Sequence, residues 1–313
     1  MAVENESVYP VRAVWQPDKL AEAWRLMQAF AGETRYAAGG TFLQVQWEAG
    51  AAEKPAALID LHRIPGMKGI EVSEGGLVIG ALTPLSACRL SPDIVERLPV
   101  VAEAVRQIAA PSIRNLATIG GNVVTGIGDS IPALLISNAE LLWYNGKRLQ
   151  SEPLAVWLSR PRSKDGAERR ILKEIRIPPR SETYSAGTGE GKWIHVYHKV
   201  GRRESFTPSL VTVAVTGHLD PNGRLSGFRL AAGGGGTMPR RLTEAEDLLA
   251  DAVYNPSLLS GVYEAVIRQY DEIDERWASA EYLKRTAANL IVSELWKAMT
   301  LWGKGEDSHA AEP

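Results

Sequence analysis

Three clusters of small residues are the places in this chain where chemistry could be done: AAGGT at 37–41, TIGGN at 118–122 and AAGGGGT at 231–237. Glycine allows positive φ and close approach of the backbone to a ligand, so that successive N–H groups can converge on phosphate oxygens. Two such loops on separate strands could clamp the pyrophosphate of a dinucleotide. None of the three reads GxxxxGK[ST], and none reads GxGxxG with an acid about 20 residues on, so a P-loop or a Rossmann site is disfavoured. A plain tight turn competes with the ligand reading for each cluster taken alone. The second carries more than glycine. Thr118 and Asn122 bracket it, and Asp129 follows at the mouth of the next helix. Its carboxylate could accept hydrogen bonds from ribose hydroxyls or could cap that helix. Spacing leaves both open.

Other chemistry is thinly represented. The one cysteine, Cys88, cannot form an internal disulfide, a four-cysteine zinc site or an iron–sulfur cluster. It sits in the apolar stretch LSACRL and reads as a small packed residue. The five histidines form no HExxH, and His195 and His198 fall on a strand-like run whose alternation points them to opposite faces. No protein-held metal is expected.

Composition sets the frame. The chain has 313 residues, 45% hydrophobic and 23% charged, enough for two or three globular domains. A formal net charge of −2 recruits neither nucleic acid nor an anionic membrane. No apolar run approaches the roughly 20 residues of a membrane span. The opening MAVENESVYPVRAVWQPDKL lacks the pattern of a signal peptide, so a cytoplasmic address is expected.

The elements that must position the loops follow from periodicity. Residues 17–30 predict an amphipathic helix with Leu20, Ala23, Leu26, Met27 and Phe30 on one stripe. TRYAAGGTFLQVQW reads as a short strand into a glycine turn, ALIDLHRI as a strand, and EVSEGGLVIGAL as a hairpin turning at 75–76. A helix is predicted over 99–109, closed by Pro111, with RNLATIGGNVVTGIGD as a loop, IPALLISNA as a short helix and AELLWYN as a strand. PPRSETYSAGTGEGK, within 178–192, marks a domain boundary. Beyond it WIHVYHKV, SLVTVAVTGHLD and RLSGFRLAAGG predict three strands, and the rest is helical up to a tail at 303–313 expected to be disordered.

At this point a family resemblance is visible. YAAGGTFL, LIDLHRIPGMKGI, GGLVIGALTPLSA and APSIRNLATIGGNVVTGIGDSIPALLISNAEL, then ILKEIRIP, YHKVGRRESF and SAEYLKRTAANLIV, resemble the FAD-binding subunits of molybdopterin dehydrogenases. That family includes the medium subunits of carbon monoxide dehydrogenase and of bacterial xanthine dehydrogenases. The likeness runs from about residue 10 to 300.

The resemblance implies an α+β fold: a two-lobed FAD-binding domain of the vanillyl-alcohol-oxidase type, with lobes at 8–62 and 63–180. An α+β C-terminal domain at 190–302, with a three-stranded sheet and helices, follows. It places the first phosphate loop on Ala37, Ala38, Gly39, Gly40, Thr41, Phe42 and Leu43. The second falls on Thr118, Ile119, Gly120, Gly121 and Asn122, with Thr125 beyond and Asp129 on the adenosine ribose. Ile108, Ile171 and Leu172 fall on apolar positions of the cofactor site. His198 or Lys199 falls near the flavin's N1/O2 edge. AAGGGGT lies away from the cofactor in that family and is read as a strand-to-helix connection, with Pro239 starting the helix.

The implied role is electron transfer from partner iron–sulfur clusters to FAD and on to NAD. The partners are an iron–sulfur small subunit with 2Fe-2S clusters and a molybdopterin large subunit, in a dimer of heterotrimers. YHKVGRRE favours a xanthine or hypoxanthine dehydrogenase. The alternatives are an aldehyde, nicotinate or carbon monoxide hydroxylase subunit, or a stand-alone FAD oxidase, against which the chain's length and lack of a third catalytic domain argue.

Overall fold

A computed structural model describes residues 13–30, 32–161, 168–179, 191–203, 208–270, 274 and 278–302. The expected tail and residues 180–190 of the expected boundary lie outside them. The first sheet is small and parallel: β1 (Ala13–Trp15), β2 (Thr34–Ala37) and β3 (Ala57–Asp60) lie in the order β1-β3-β2. Parallel neighbours need crossovers, here made by α1 (Leu20–Ala29) and α2 (Thr41–Glu48). α1 buries Ala23 and Met27 from its predicted stripe. α2 was not expected, because none of its residues is buried and it has no amphipathic signal to read. Gly40, at φ 69°, turns the chain from strand into helix.

The second sheet is antiparallel, with β4 (Ile70–Ser73), β5 (Gly76–Gly80), β6 (Glu140–Tyr144), β7 (Leu149–Pro153) and β8 (Ile171–Ile177) in the order β4-β5-β8-β6-β7. The predicted hairpin forms with its turn at Glu74 and Gly75, one residue before the 75–76 position expected, and pairs Ser73 with Gly76. Between β5 and β6 run six short helices: α3 (Leu85–Leu90), α4 (Pro92–Arg97), α5 (Pro99–Gln107), α6 (Pro111–Leu116), α7 (Ile119–Val124) and α8 (Ile131–Ile136). α9 (Leu154–Leu158) follows β7. The predicted loop therefore holds the second half of α6 and all of α7. Pro111 starts a helix rather than only ending one, since the first helical position needs no N–H partner.

The C-terminal sheet has four strands where three are expected: β9 (Lys192–Gly201), β10 (Ser209–Leu219), β11 (Leu225–Gly234) and β12 (Thr237–Arg241), in the order β12-β11-β10-β9. Pro239 belongs to edge strand β12 and does not start a helix. Proline is tolerated there because an edge strand can spare an N–H. The glycines before it make the hairpin turn, with Gly234 at φ 117° and Gly235 at φ 57°. Helices α10 (Thr243–Leu249), α11 (Pro256–Gln269) and α12 (Ala280–Trp302) cover one face.

β10 explains how the two domains meet. Val211, Val213 and Val215 alternate into the core under α10–α12. Ala214, between them, points the other way into the core of the FAD-binding domain, with its cross-strand partners Tyr197 and Ala231. β10 and β11 pack against α8, and β9 packs against α5, which sets Asp129, two residues before α8, against β9. No helix among the described residues is long and apolar enough to cross a membrane.

Cys88 is fully buried on α3, and burial pushes its thiol up to about 12. The reactive thiolate is therefore scarce at neutral pH. The folded protein should resist Ellman's reagent at pH 8 and react stoichiometrically only in denaturant. Rapid labelling of the native chain would contradict the packed reading.

Candidate functional site

The two loops at 37–41 and 118–122 come together through one residue without a side chain. A Cβ placed on Gly39 would stand 2.0 Å from the Leu116 carbonyl oxygen and 2.9 Å from the Ala117 Cα. The first loop thus lies directly on the backbone leading into Thr118.

The loops differ in what they offer an anion. The backbone N–H groups of Gly39, Gly40, Thr41, Phe42 and Leu43 have no partner among the described residues, and α2 has no side-chain cap. Gly40 has open space where a Cβ would stand. Unpaired N–H groups at a helix start, reinforced by the helix dipole, suit a phosphate. The second loop's N–H groups are already in use. Ile119 donates to the Thr83 carbonyl at 3.0 Å and Gly120 to Ala81 at 2.9 Å, while Gly121 donates to the Thr118 hydroxyl at 3.0 Å and Asn122 to the Thr118 carbonyl at 2.9 Å. Of the two loops that the sequence pairs on a pyrophosphate, the first keeps its N–H groups open, while residues 119–122 of the second give theirs to the Thr83 and Ala81 carbonyls and to the start of α7.

Asn122 instead organises the loop beyond. Its Oδ1 accepts from the Ser130 N–H at 3.2 Å and hydroxyl at 2.6 Å, leaving its amide NH2 without a partner among the described residues. Thr125 donates to the Asn122 carbonyl at 2.8 Å and accepts from Ile127 N–H at 3.2 Å. Gly128 is wedged against Asn122, where a Cβ would meet the carbonyl oxygen at 2.2 Å. It is Asn122, not Asp129, that holds the entry to α8.

Asp129 is engaged from the C-terminal domain. Lys199 Nζ lies 2.7 Å from its Oδ2, and the Ser209 hydroxyl donates to Oδ1 at 2.6 Å. The Tyr197 hydroxyl donates to its backbone carbonyl at 2.8 Å. Burial, with the nearby Asp129 and Glu103 carboxylates, pushes the Tyr197 phenol well above its ordinary range, so it stays a donor. Lys199 also reaches the Gln107 carbonyl at 3.4 Å. Tyr197 and Lys199 are two apart on β9 and share the face toward the FAD-binding domain. His198 points to the other, its Nε2 3.2 Å from Glu294 on α12. Of the two candidates left open by sequence, Lys199 is the one the fold brings to the loops.

The apolar candidates are set in the core. Ile171 is 1% exposed and Leu172 5%, so these two positions of β8 offer a ligand little beyond their backbone. Ile108 is nearly buried, and its carbonyl accepts from the buried Arg114 at 2.8 Å. Phe42, by contrast, is exposed beside the free amides. AAGGGGT is remote in role, its Gly233 packed against Pro239.

Sequence reasoning missed Ser209, Tyr197, Arg114 and Gly128. Tyr197 had a readable signal, since it stands two residues before Lys199 on an alternating strand. Ser209 had none, because only strand pairing brings it to Asp129.

Comparison with known proteins matches both parts of the chain to family models. The FAD binding domain in molybdopterin dehydrogenase matches residues 9–180, and the CO dehydrogenase flavoprotein C-terminal domain matches residues 195–298. The 6-hydroxypseudooxynicotine dehydrogenase complex subunit alpha of Paenarthrobacter nicotinovorans is 27% identical over 286 residues, covering 90% of this chain and 92% of that protein. A putative xanthine dehydrogenase FAD-binding subunit of Escherichia coli is 27% identical over 281 residues, covering 88% and 92%. A carbon monoxide dehydrogenase structure from Hydrogenophaga pseudoflava superposes with a TM-score of 0.81 at 23% identity, over 94% of this chain and 99% of that one. The chain carries an FAD-binding domain and belongs to the FAD-binding medium-subunit family of the molybdopterin dehydrogenases.

Proposed function

We propose that this chain is the electron-transfer subunit of a cytoplasmic xanthine or hypoxanthine dehydrogenase. It would work with an iron–sulfur small subunit and a molybdopterin large subunit in a dimer of heterotrimers, with NAD as acceptor. The division runs into lobes at 8–62 and 63–180 and a C-terminal domain at 190–302. The observation that carries the cofactor reading is the row of unpaired N–H groups from Gly39 to Leu43, seated against the second loop.

FAD, when bound, supplies the redox chemistry, and the chain supplies position and electrostatics. The Gly39–Leu43 amides would take the pyrophosphate. Thr118, Ile119, Gly120, Gly121 and Asn122 would form the facing wall, with the free Asn122 amide as a donor, and Asp129 would accept from the ribose. Ala37, Ala38 and Thr125 would line the edges, while Ile108, Ile171 and Leu172 would back the site with apolar strand and helix ends. Lys199 adds positive charge on the Asp129 side. No general acid or base is assigned.

The purine reading rests on YHKVGRRE, within the C-terminal domain's first strand and beyond. The 6-hydroxypseudooxynicotine dehydrogenase and xanthine dehydrogenase relatives are equally similar at 27%, so substrate is tested directly. Purification from the native host should yield three co-purifying chains with molybdenum, iron and flavin, turning over xanthine. Turnover of an aldehyde or an N-heterocycle but no purine would replace the substrate. A single chain free of molybdenum and iron would overturn the subunit reading.

A further inference from the structure

Among the described residues, every side-chain partner of Asp129 comes from the C-terminal domain. No described residue of its own lobe bonds the carboxylate. It follows Gly126, at φ 72°, and Gly128, in a turn whose other hydrogen bonds close on Asn122, Val123, Thr125 and Gly128 and none on the Asp129 carboxylate. Across the interface the contacts are specific. Lys199 takes one carboxylate oxygen and Ser209 the other, while Tyr197 holds the backbone of the same residue. Asp129 and Lys199 are both mostly buried, with side chains 14% and 10% exposed.

A carboxylate offers about four acceptor sites, so these two donors leave about two, the number a vicinal diol can fill. Holding the side chain in one rotamer beforehand removes an ordering cost from ligand binding. The lysine charge also offsets the repulsion that a bare carboxylate would exert on a pyrophosphate nearby.

We propose that Lys199 and Ser209 are positioning residues that present the Asp129 carboxylate to the vicinal diol of a nucleotide ribose, so that the ribose subsite is completed only when the C-terminal domain is docked. This rests on the reading that Asp129 accepts from the FAD ribose. It differs from placing Lys199 on the flavin ring, because the lysine acts through the carboxylate.

The test is titration of the full chain with FAD, followed by flavin fluorescence, for the wild type and for Lys199→Met, Lys199→Arg, Ser209→Ala, Asp129→Ala and the double variants in the Asp129→Ala background. Lys199→Met should weaken binding roughly tenfold or more, the loss expected for a hydrogen bond to a charged group. Ser209→Ala should weaken it a few-fold, and Lys199→Arg should retain most affinity. In the Asp129→Ala background neither change should alter affinity by more than about twofold, since coupled residues are non-additive. Circular dichroism checks folding, and if Lys199→Met fails to fold, the Ser209→Ala pair decides. An equal loss from Lys199→Met with and without Asp129 would overturn the proposal and place the lysine on the cofactor itself. Full affinity in Lys199→Met and Ser209→Ala, alongside a weakened Asp129→Ala, would overturn it too. Wild-type affinity in Asp129→Ala would instead remove the ribose reading on which it stands.

Discussion

Gly39→Ala is expected to abolish FAD binding and to destabilise the FAD-binding domain. The added methyl would stand 2.0 Å from the Leu116 carbonyl oxygen, far inside contact distance, and the obstacle is backbone on both sides. Either the two loops part or the protein strains, and overpacking of this kind typically costs about 1–3 kcal/mol, occasionally more. Parting the loops moves the free amides of residues 39–43 away from the second loop, so the cofactor should be lost even where the fold survives. Neighbouring glycines give the control. Gly40→Ala meets open space and carries only the strain of φ 69°, roughly 1–2 kcal/mol. Gly121→Ala meets the Thr118 hydroxyl at 2.9 Å, a side chain that can rotate at the expense of its cap. Flavin content of the purified variants, with urea unfolding of each, ranks them. Gly39→Ala with wild-type flavin content would show that contact between the loops is not required.

The isolated chain, loaded with FAD, should show no reaction with xanthine, hypoxanthine or any hydroxylase substrate. Its single cysteine is buried on α3, so it cannot hold a cluster. Among the described residues no group of His, Cys, Asp and Glu is arranged to hold a metal ion. NADH should nonetheless bleach the flavin absorbance anaerobically, because that half-reaction needs only the bound cofactor and access to it. Adding the iron–sulfur and molybdenum subunits should switch purine-dependent NAD reduction from undetectable to full. Bleaching by a purine without partners would refute the subunit role and favour a self-contained oxidase. Failure of NADH to bleach would exclude NAD as the acceptor.

The glycine pairs, Asp129 and the family were legible in the sequence because each rests on local chemistry. A glycine that only glycine can replace leaves its mark in residue type. Amphipathic α1 and α5 and the 73–76 hairpin were legible for the same reason, since burial on one face writes a period into the chain. α2 was not legible, being a surface helix with no buried residue to write such a period. β12 was hidden by Pro239, which reads as a break until its neighbour shows it to be an edge.

The division of labour within the site was decided by tertiary structure. AAGGT and TIGGN look alike as strings, yet the second has its N–H groups taken by Thr83, Ala81 and Thr118, and only the first stays open. Asp129 could equally have capped α8, until packing of α8 against β10 and β11 and of α5 against β9 set it beside Lys199 and Ser209, 70 and 80 residues away in sequence. His198 and Lys199 were indistinguishable by type and position, and strand pairing turned one to Glu294 and the other to Asp129. Residue types determined what could bind. Which groups remain unpaired to do the binding depends on long-range strand register and domain docking, and a local pattern carries no record of either.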